Sequence, residues 1–191
     1  RMERHYDVVE DGGQKVELEG AADEGERSDS TAATARPNRR SYNLLLYALA
    51  NSSLNDASER ADRIIQKMLK RYLHQRQHHI GNNNQLAKPD INSYNQVLGA
   101  WARGRVPGFE AKLNSTLHQI LDLSDELDMK PDTDSFNAVL GGLLKSNRPE
   151  AIPTIEEVLR IMEESYRDGN EAAKPDRITV NTLMAAFAKE G

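Results

Sequence analysis

The chain has no cysteine among its 191 residues and a single tryptophan, and aromatic residues make up 5% of it. Without thiols it can build neither a disulfide framework nor a thiolate metal site, so packing has to hold the fold. No apolar run approaches the roughly 20 residues that a membrane-spanning helix requires, and a membrane is not an expected partner. No secretory leader is visible at the start. Catalytic arrangements are missing as well. No nucleophile sits with a base, no Gly-rich loop is placed to cradle phosphate, and no carboxylates pair in a cleft. The expectation is a chain that is not an enzyme and uses no cofactor.

The net charge of −5 is unevenly spread. Residues 1–36 hold five Lys/Arg against ten Asp/Glu, while 37–191 hold twenty of each. The stretch from Glu10 to Asp29 is rich in Gly, Ala, Ser and Glu with almost no large apolar residue. Such a segment cannot offset its ordering entropy and reads as a disordered acidic loop. The balanced remainder lacks the strong basic footprint that marks many nucleic-acid binders.

What the chain does have is a repeated phrase. Pro37-Asn38-Arg39-Arg40-Ser41-Tyr42-Asn43 returns as Pro89-Asp90-Ile91-Asn92-Ser93-Tyr94-Asn95 and as Pro131-Asp132-Thr133-Asp134-Ser135-Phe136-Asn137. A last copy reads Pro175-Asp176-Arg177-Ile178-Thr179-Val180-Asn181. The prolines are 52, 42 and 44 residues apart. Self-similarity in that range predicts an array of stacked helical units rather than one closed core.

Each phrase opens a helix, with Pro just outside and Asp90, Asp132, Asp176 or Asn38 placed to cap its orphan N–H groups. Tyr94, Val97, Leu98 and Trp101 then fall at i, i+3, i+4 and i+7, one apolar face on which Trp101 reads as core. Small residues such as Gly99, Ala100, Gly141, Gly142, Ala185 and Ala186 let neighbouring helices approach. Second helices are expected at about Asp56–His74, Phe109–Leu127 and Glu150–Arg167. Their stripes include Ile65, Met68 and Tyr72 in the first and Ile155, Val158 and Met162 in the third. The pattern Met68-x-x-x-Tyr72 recurs as Met162-x-x-x-Tyr166 and as Met2-x-x-x-Tyr6. Residues 1–8 therefore read as the tail of a preceding repeat, 9–36 as its loop, and 37–90, 91–132 and 133–176 as three repeats. Residues 177–191 read as the first helix of a fourth, so the chain reads as a piece of a longer array. The Gly/Asn-rich stretches 78–85 and 168–173 are expected to be polar loops.

The opening Pro-Asp-x-x-Ser-Tyr-Asn resembles the pentatricopeptide repeat family, whose unit closes on Lys-Pro-Asp and continues Thr-Tyr-Asn. The resemblance covers roughly 37–191, with a stub at 1–8. The repeats are longer than the family's unit of about thirty-five residues, as in a long-loop subset of algal and other protist organellar proteins. It implies an all-α, right-handed α-solenoid of helix-turn-helix repeats. It also implies single-stranded RNA as the ligand, read at about one base per repeat, with processing, stabilisation, editing or translation of organellar transcripts as the setting. A mitochondrial or chloroplast location follows from the same resemblance, as do possible protein partners in organellar RNA processing. The family's base-reading positions match Asn43, Asn95, Asn137 and Asn181, and their partner position matches Asp90, Asp132 and Asp176. The pairs Asn43–Asp90, Asn95–Asp132 and Asn137–Asp176 imply a preference for U, since Asn carries both a donor and an acceptor. The position that sandwiches each base matches Arg40, Asn92, Asp134 and Ile178, of which Ile178 alone fits the family's aliphatic pattern. Arg103 and Arg105, at the end of a first helix, are candidates for phosphate contact.

Plainer readings stand beside these. The Asn column can be a ladder that joins neighbouring repeats, and the Asp column can be helix caps alone. The whole array can be a protein-interaction scaffold with no RNA readout. His74, His78 and His79 share a helix end without an acidic third ligand, so a solvated end is expected there rather than a metal site. Lys67, Lys70, Arg71 and Arg76 are expected on the outer surface.

Overall fold

The structure, a computed structural model, describes residues 37–78, 87–104, 106–148 and 150–188, all within one unit spanning Arg36–Gly191. The stub expected at 1–8, the acidic loop at 9–36, most of the 78–85 loop and Arg105 lie outside the described residues. The described residues are all-helical, with no strand among them. The helices are α1 (Arg39–Ala50), α2 (Ala57–Gln77), α3 (Ile91–Arg103), α4 (Phe109–Asp122), α5 (Ser124–Leu127), α6 (Thr133–Ser146), α7 (Ala151–Arg167) and α8 (Arg177–Phe187). Among them no helix is long and apolar enough to cross a membrane.

The repeated phrase builds the starts of α1, α3, α6 and α8. Asp90, Asp132 and Asp176 each accept a hydrogen bond from the backbone N–H three residues on, and the hydroxyl oxygens of Ser93, Ser135 and Thr179 accept one from the cap's own N–H. These reciprocal pairs satisfy two donors that a helix start otherwise leaves orphaned. In α1, Asn38 accepts from the Ser41 N–H at 3.0 Å.

The four capped helices form one row, in which α1 packs on α3, α3 on α6 and α6 on α8. A second layer fills the gaps between them: α2 packs on α1 and α3, α4 on α3 and α6, and α7 on α6 and α8. The expected stripes supply the core. Tyr94, Val97, Leu98 and Trp101 are all buried, as are Ile65, Met68, Tyr72, Ile155, Val158 and Met162. Each fully buried side chain of this size is worth about 1.5–3 kcal/mol against its exposed state.

One small residue is required by geometry. A Cβ on Gly142 of α6 would collide with Leu113 Cδ1 of α4 and stand 3.3 Å from Ala102 Cα of α3. Three helices therefore meet at a point where only hydrogen fits.

Two local departures from the sequence expectation follow from burial. The helix expected over Phe109–Leu127 breaks at Leu123 into α4 and α5, and Asp128 turns to φ 45°. The Met129 N–H closes the turn on the Ser124 carbonyl at 2.9 Å, and the break lets Leu127 and Met129 both enter the core. The stretch 168–173 is tied down as well as polar. Glu171–Ala173 forms a 3-10 turn, and the buried Asn170 donates its amide to the Pro131 carbonyl at 2.7 Å and the Ser165 hydroxyl at 3.0 Å. The Thr133 hydroxyl closes the other side, 2.7 Å from the Lys174 carbonyl.

Candidate nucleic-acid interface

The Asn and Asp columns meet between consecutive helices of the first row. Asn95 of α3 donates its Nδ2–H to the Asp132 carboxylate at the start of α6, at 3.0 and 3.2 Å from its two oxygens. Its Oδ1 accepts from the Ser135 hydroxyl at 2.6 Å. Asn43 of α1 does the same towards α3, donating to Asp90 at 3.2 Å and accepting from Ser93 at 2.6 Å. Asn137 of α6 repeats it towards α8, donating to Asp176 at 3.0 Å and accepting from Thr179 at 2.8 Å. Three rungs of one design thus link four helices.

Each rung fixes the orientation of its amide. A carboxylate only accepts, so the nitrogen must face Asp and the oxygen must face the hydroxyl. The hydroxyl and carboxylate are themselves locked by the capping pairs, since Ser135 Oγ also lies 2.8 Å from Asp132 Oδ1. Ser93, Ser135 and Thr179 are buried, whereas Asn43, Asn95 and Asn137 are half-buried. An Asn amide has two N–H donors and two lone pairs on its oxygen. Each rung uses one of each, so one donor and one acceptor per Asn remain for a further partner.

The rungs are not electrostatically equal. Arg39 Nε sits 3.4 Å from Asp90 and offsets its charge, a cation without a counterpart at Asp132 or Asp176 among the described residues. At Asp176 the Thr179 backbone N–H, and next the Asn137 amide, hold the carboxyl below its ordinary pKa. Asn181 of α8 is exposed, and its amide has no hydrogen-bond partner among the described residues.

The remaining expected positions fall as follows. Arg40, Asn92, Asp134 and Ile178 all lie exposed, one residue into their helices after the cap and the first helical residue. Arg103 is exposed at the end of α3 and lines a shallow concavity of about 670 Å³ with Lys145 and Arg148. Arg103 follows Asn95 by eight residues and Lys145 follows Asn137 by eight, about 12 Å along each helix axis. Lys67, Lys70 and Arg76 are exposed on α2, whereas Arg71 is half-buried with its guanidinium 3.5 Å from the Tyr42 hydroxyl. The His74 and His78 rings lie 4.5 Å apart, and no group of three metal-ligating side chains occurs among the described residues.

Ser93, Ser135, Thr179 and Lys145 carried no role that was read from the sequence. The signal for the first three was the spacing Asp-x-x-Ser/Thr, which is the capping-box spacing read with a Ser/Thr in the return position. Lys145 was findable by laying α6 on α3 in register with Arg103. In comparisons with known proteins, no family model matches the chain, and no curated protein or solved structure shows significant similarity to it.

Proposed function

We propose that the chain is a solenoid of pentatricopeptide-type repeats that binds single-stranded RNA, one base per rung with U favoured, in organellar RNA metabolism. The observation that carries the reading is the threefold recurrence of an Asn amide held between a carboxylate and a hydroxyl. A base reader needs a donor and an acceptor in fixed orientation, and each rung leaves one of each uncommitted. Uracil presents a carbonyl oxygen and the N3–H on its Watson–Crick edge, which complements that pair. Fixing the amide beforehand removes the rotamer entropy that binding would otherwise cost, about 0.5–1.5 kcal/mol per side chain. Arg103 and Lys145, at equal offsets from their rungs, supply cations for the backbone phosphates. Binding of this kind works by occupancy: a covered single strand is shielded from nucleases or held open for another factor.

The test is fluorescence anisotropy of the chain with labelled oligo-U, oligo-A and duplex RNA across a salt series. The expected result is salt-sensitive binding that prefers oligo-U, with the preference lost in the double variant Asn95→Ala, Asn137→Ala. Failure to bind any single strand at low salt would remove the reading.

A second reading has its own observation. Every rung spends its amide on a bond between neighbouring helices, as a structural ladder does. On that reading the array is a protein-interaction scaffold, and the same double variant lowers stability while leaving no RNA phenotype to lose.

A further inference from the structure

The three rungs share one design but differ in what stands beside the carboxylate. Arg39 is the first residue of α1 and Asn43 lies one turn on, so the two side chains leave the same helix face. Both reach one oxygen of Asp90. The Asn43 amide nitrogen is 3.4 Å from Asp90 Oδ2, and Arg39 Nε is 3.4 Å from the same atom. The register equivalents of Arg39 are Ile91 at the second rung and Thr133 at the third. Ile91 carries no charge, and the Thr133 hydroxyl is spent on the Ala172 and Lys174 carbonyls at 2.9 and 2.7 Å. Among the described residues the first rung alone therefore sets a guanidinium beside its amide, on a side chain that is 57% exposed.

That difference bears on which pyrimidine a rung accepts. The amide stands with its nitrogen towards Asp and its oxygen towards the hydroxyl. Uracil meets it through a carbonyl oxygen and N3–H, and the second carbonyl of uracil then falls on the hydroxyl side. Cytosine meets it through N3 and the exocyclic amine, and its O2 then falls on the carboxylate side. A carboxylate has only lone pairs to offer a carbonyl, so a bare Asp at that place turns cytosine away. A guanidinium there reverses the sign. It has five N–H donors, and with Nε facing Asp90 those on its two terminal nitrogens remain for cytosine O2.

We infer that Arg39 sets the pyrimidine preference of the first rung, which takes cytosine as readily as uracil, while the second and third rungs hold to uracil. This role rests on the RNA reading and names a specificity residue within it.

Anisotropy competition with four short RNAs tests it, each an adenine tract around a central UUU, CUU, UCU or UUC. The wild-type chain should bind UUU, and UCU and one of the two end variants should bind about tenfold more weakly. The other end variant, whose cytosine faces the first rung, should bind within about twofold of UUU. In Arg39→Ala that cytosine should cost as much as the other two, and circular dichroism checks that the variant keeps its helices. A change in the pattern of base preference is a readout that a merely structural ion pair would not move. Equal affinities of the wild type for the three cytosine RNAs, or a tolerated cytosine that survives Arg39→Ala, would overturn the role of Arg39 and leave the RNA reading standing. Failure of the wild type to bind UUU at low salt would remove both.

Discussion

Asparagine is several tenths of a kcal/mol less favourable than alanine inside a helix, yet it stands as the fifth residue of α1, α3, α6 and α8 alike. The rungs give three of these residues a structural role in addition to any role in binding. Their cost and their purpose separate by experiment. Ser135→Ala removes a buried hydroxyl that donates to Asn95 Oδ1 and accepts from the Asp132 N–H. It should lower the stability read from urea unfolding by about 1–3 kcal/mol, since Asn95 Oδ1 loses its donor. Combined with Asn95→Ala the two losses should fall short of additive, because they break one shared network. At the last rung, proton linkage gives a second readout. Asp176 has its folded pKa held below the ordinary value near 3.9, so its stabilisation is complete above that value and fades as pH falls through the lower folded pKa. Asp176→Asn keeps an acceptor oxygen but cannot titrate. Amide-exchange protection in α8 should therefore be greater in the wild type near pH 7 and converge with the variant as pH falls below the depressed folded pKa. The Asn and Asp columns behind these predictions were legible because a fixed phrase repeats. Their pairing came from the family resemblance and from no local signal, because partners 37 to 47 residues apart in sequence touch only after the helices stack.

At the scale of the element, periodicity located the helices and capping residues located their starts, both being local signals. The interruption of α4 at Leu123 was not local. It is followed by the left-handed turn at Asp128, after which Met129 enters the core beside Leu127. Around Asn170 composition gave the loop but not its anchor, because the amide of Asn170 is held by the Pro131 carbonyl, 39 residues away in sequence. Gly141 and Gly142 make the distinction testable, since sequence alone gives them one role. A Cβ at Gly141 meets nothing within 4 Å, so Gly141→Ala should stabilise α6 by up to about 1 kcal/mol through helix propensity. Gly142→Ala should instead destabilise by about 1–3 kcal/mol, because Leu113 and the α3 backbone at Ala102 would have to give way. Thermal unfolding of the two variants side by side reads the difference in sign.

Across the whole molecule, the order of contacts matters more than the size of the core. α3 is packed by α1, α2, α4 and α6, and α6 by α3, α4, α7 and α8, whereas among the described residues α8 packs mainly on α6 and α7. When each unit touches only its neighbours, stability is approximately a sum of local terms, and opening begins where a unit lacks a neighbour. Hydrogen exchange on dilute chain should accordingly rank α3 and α6 as the most protected helices, with α1 and α8 opening first. A single exchange rate shared by all of them would mean that the joints are strong enough to fuse the row into one cooperative unit.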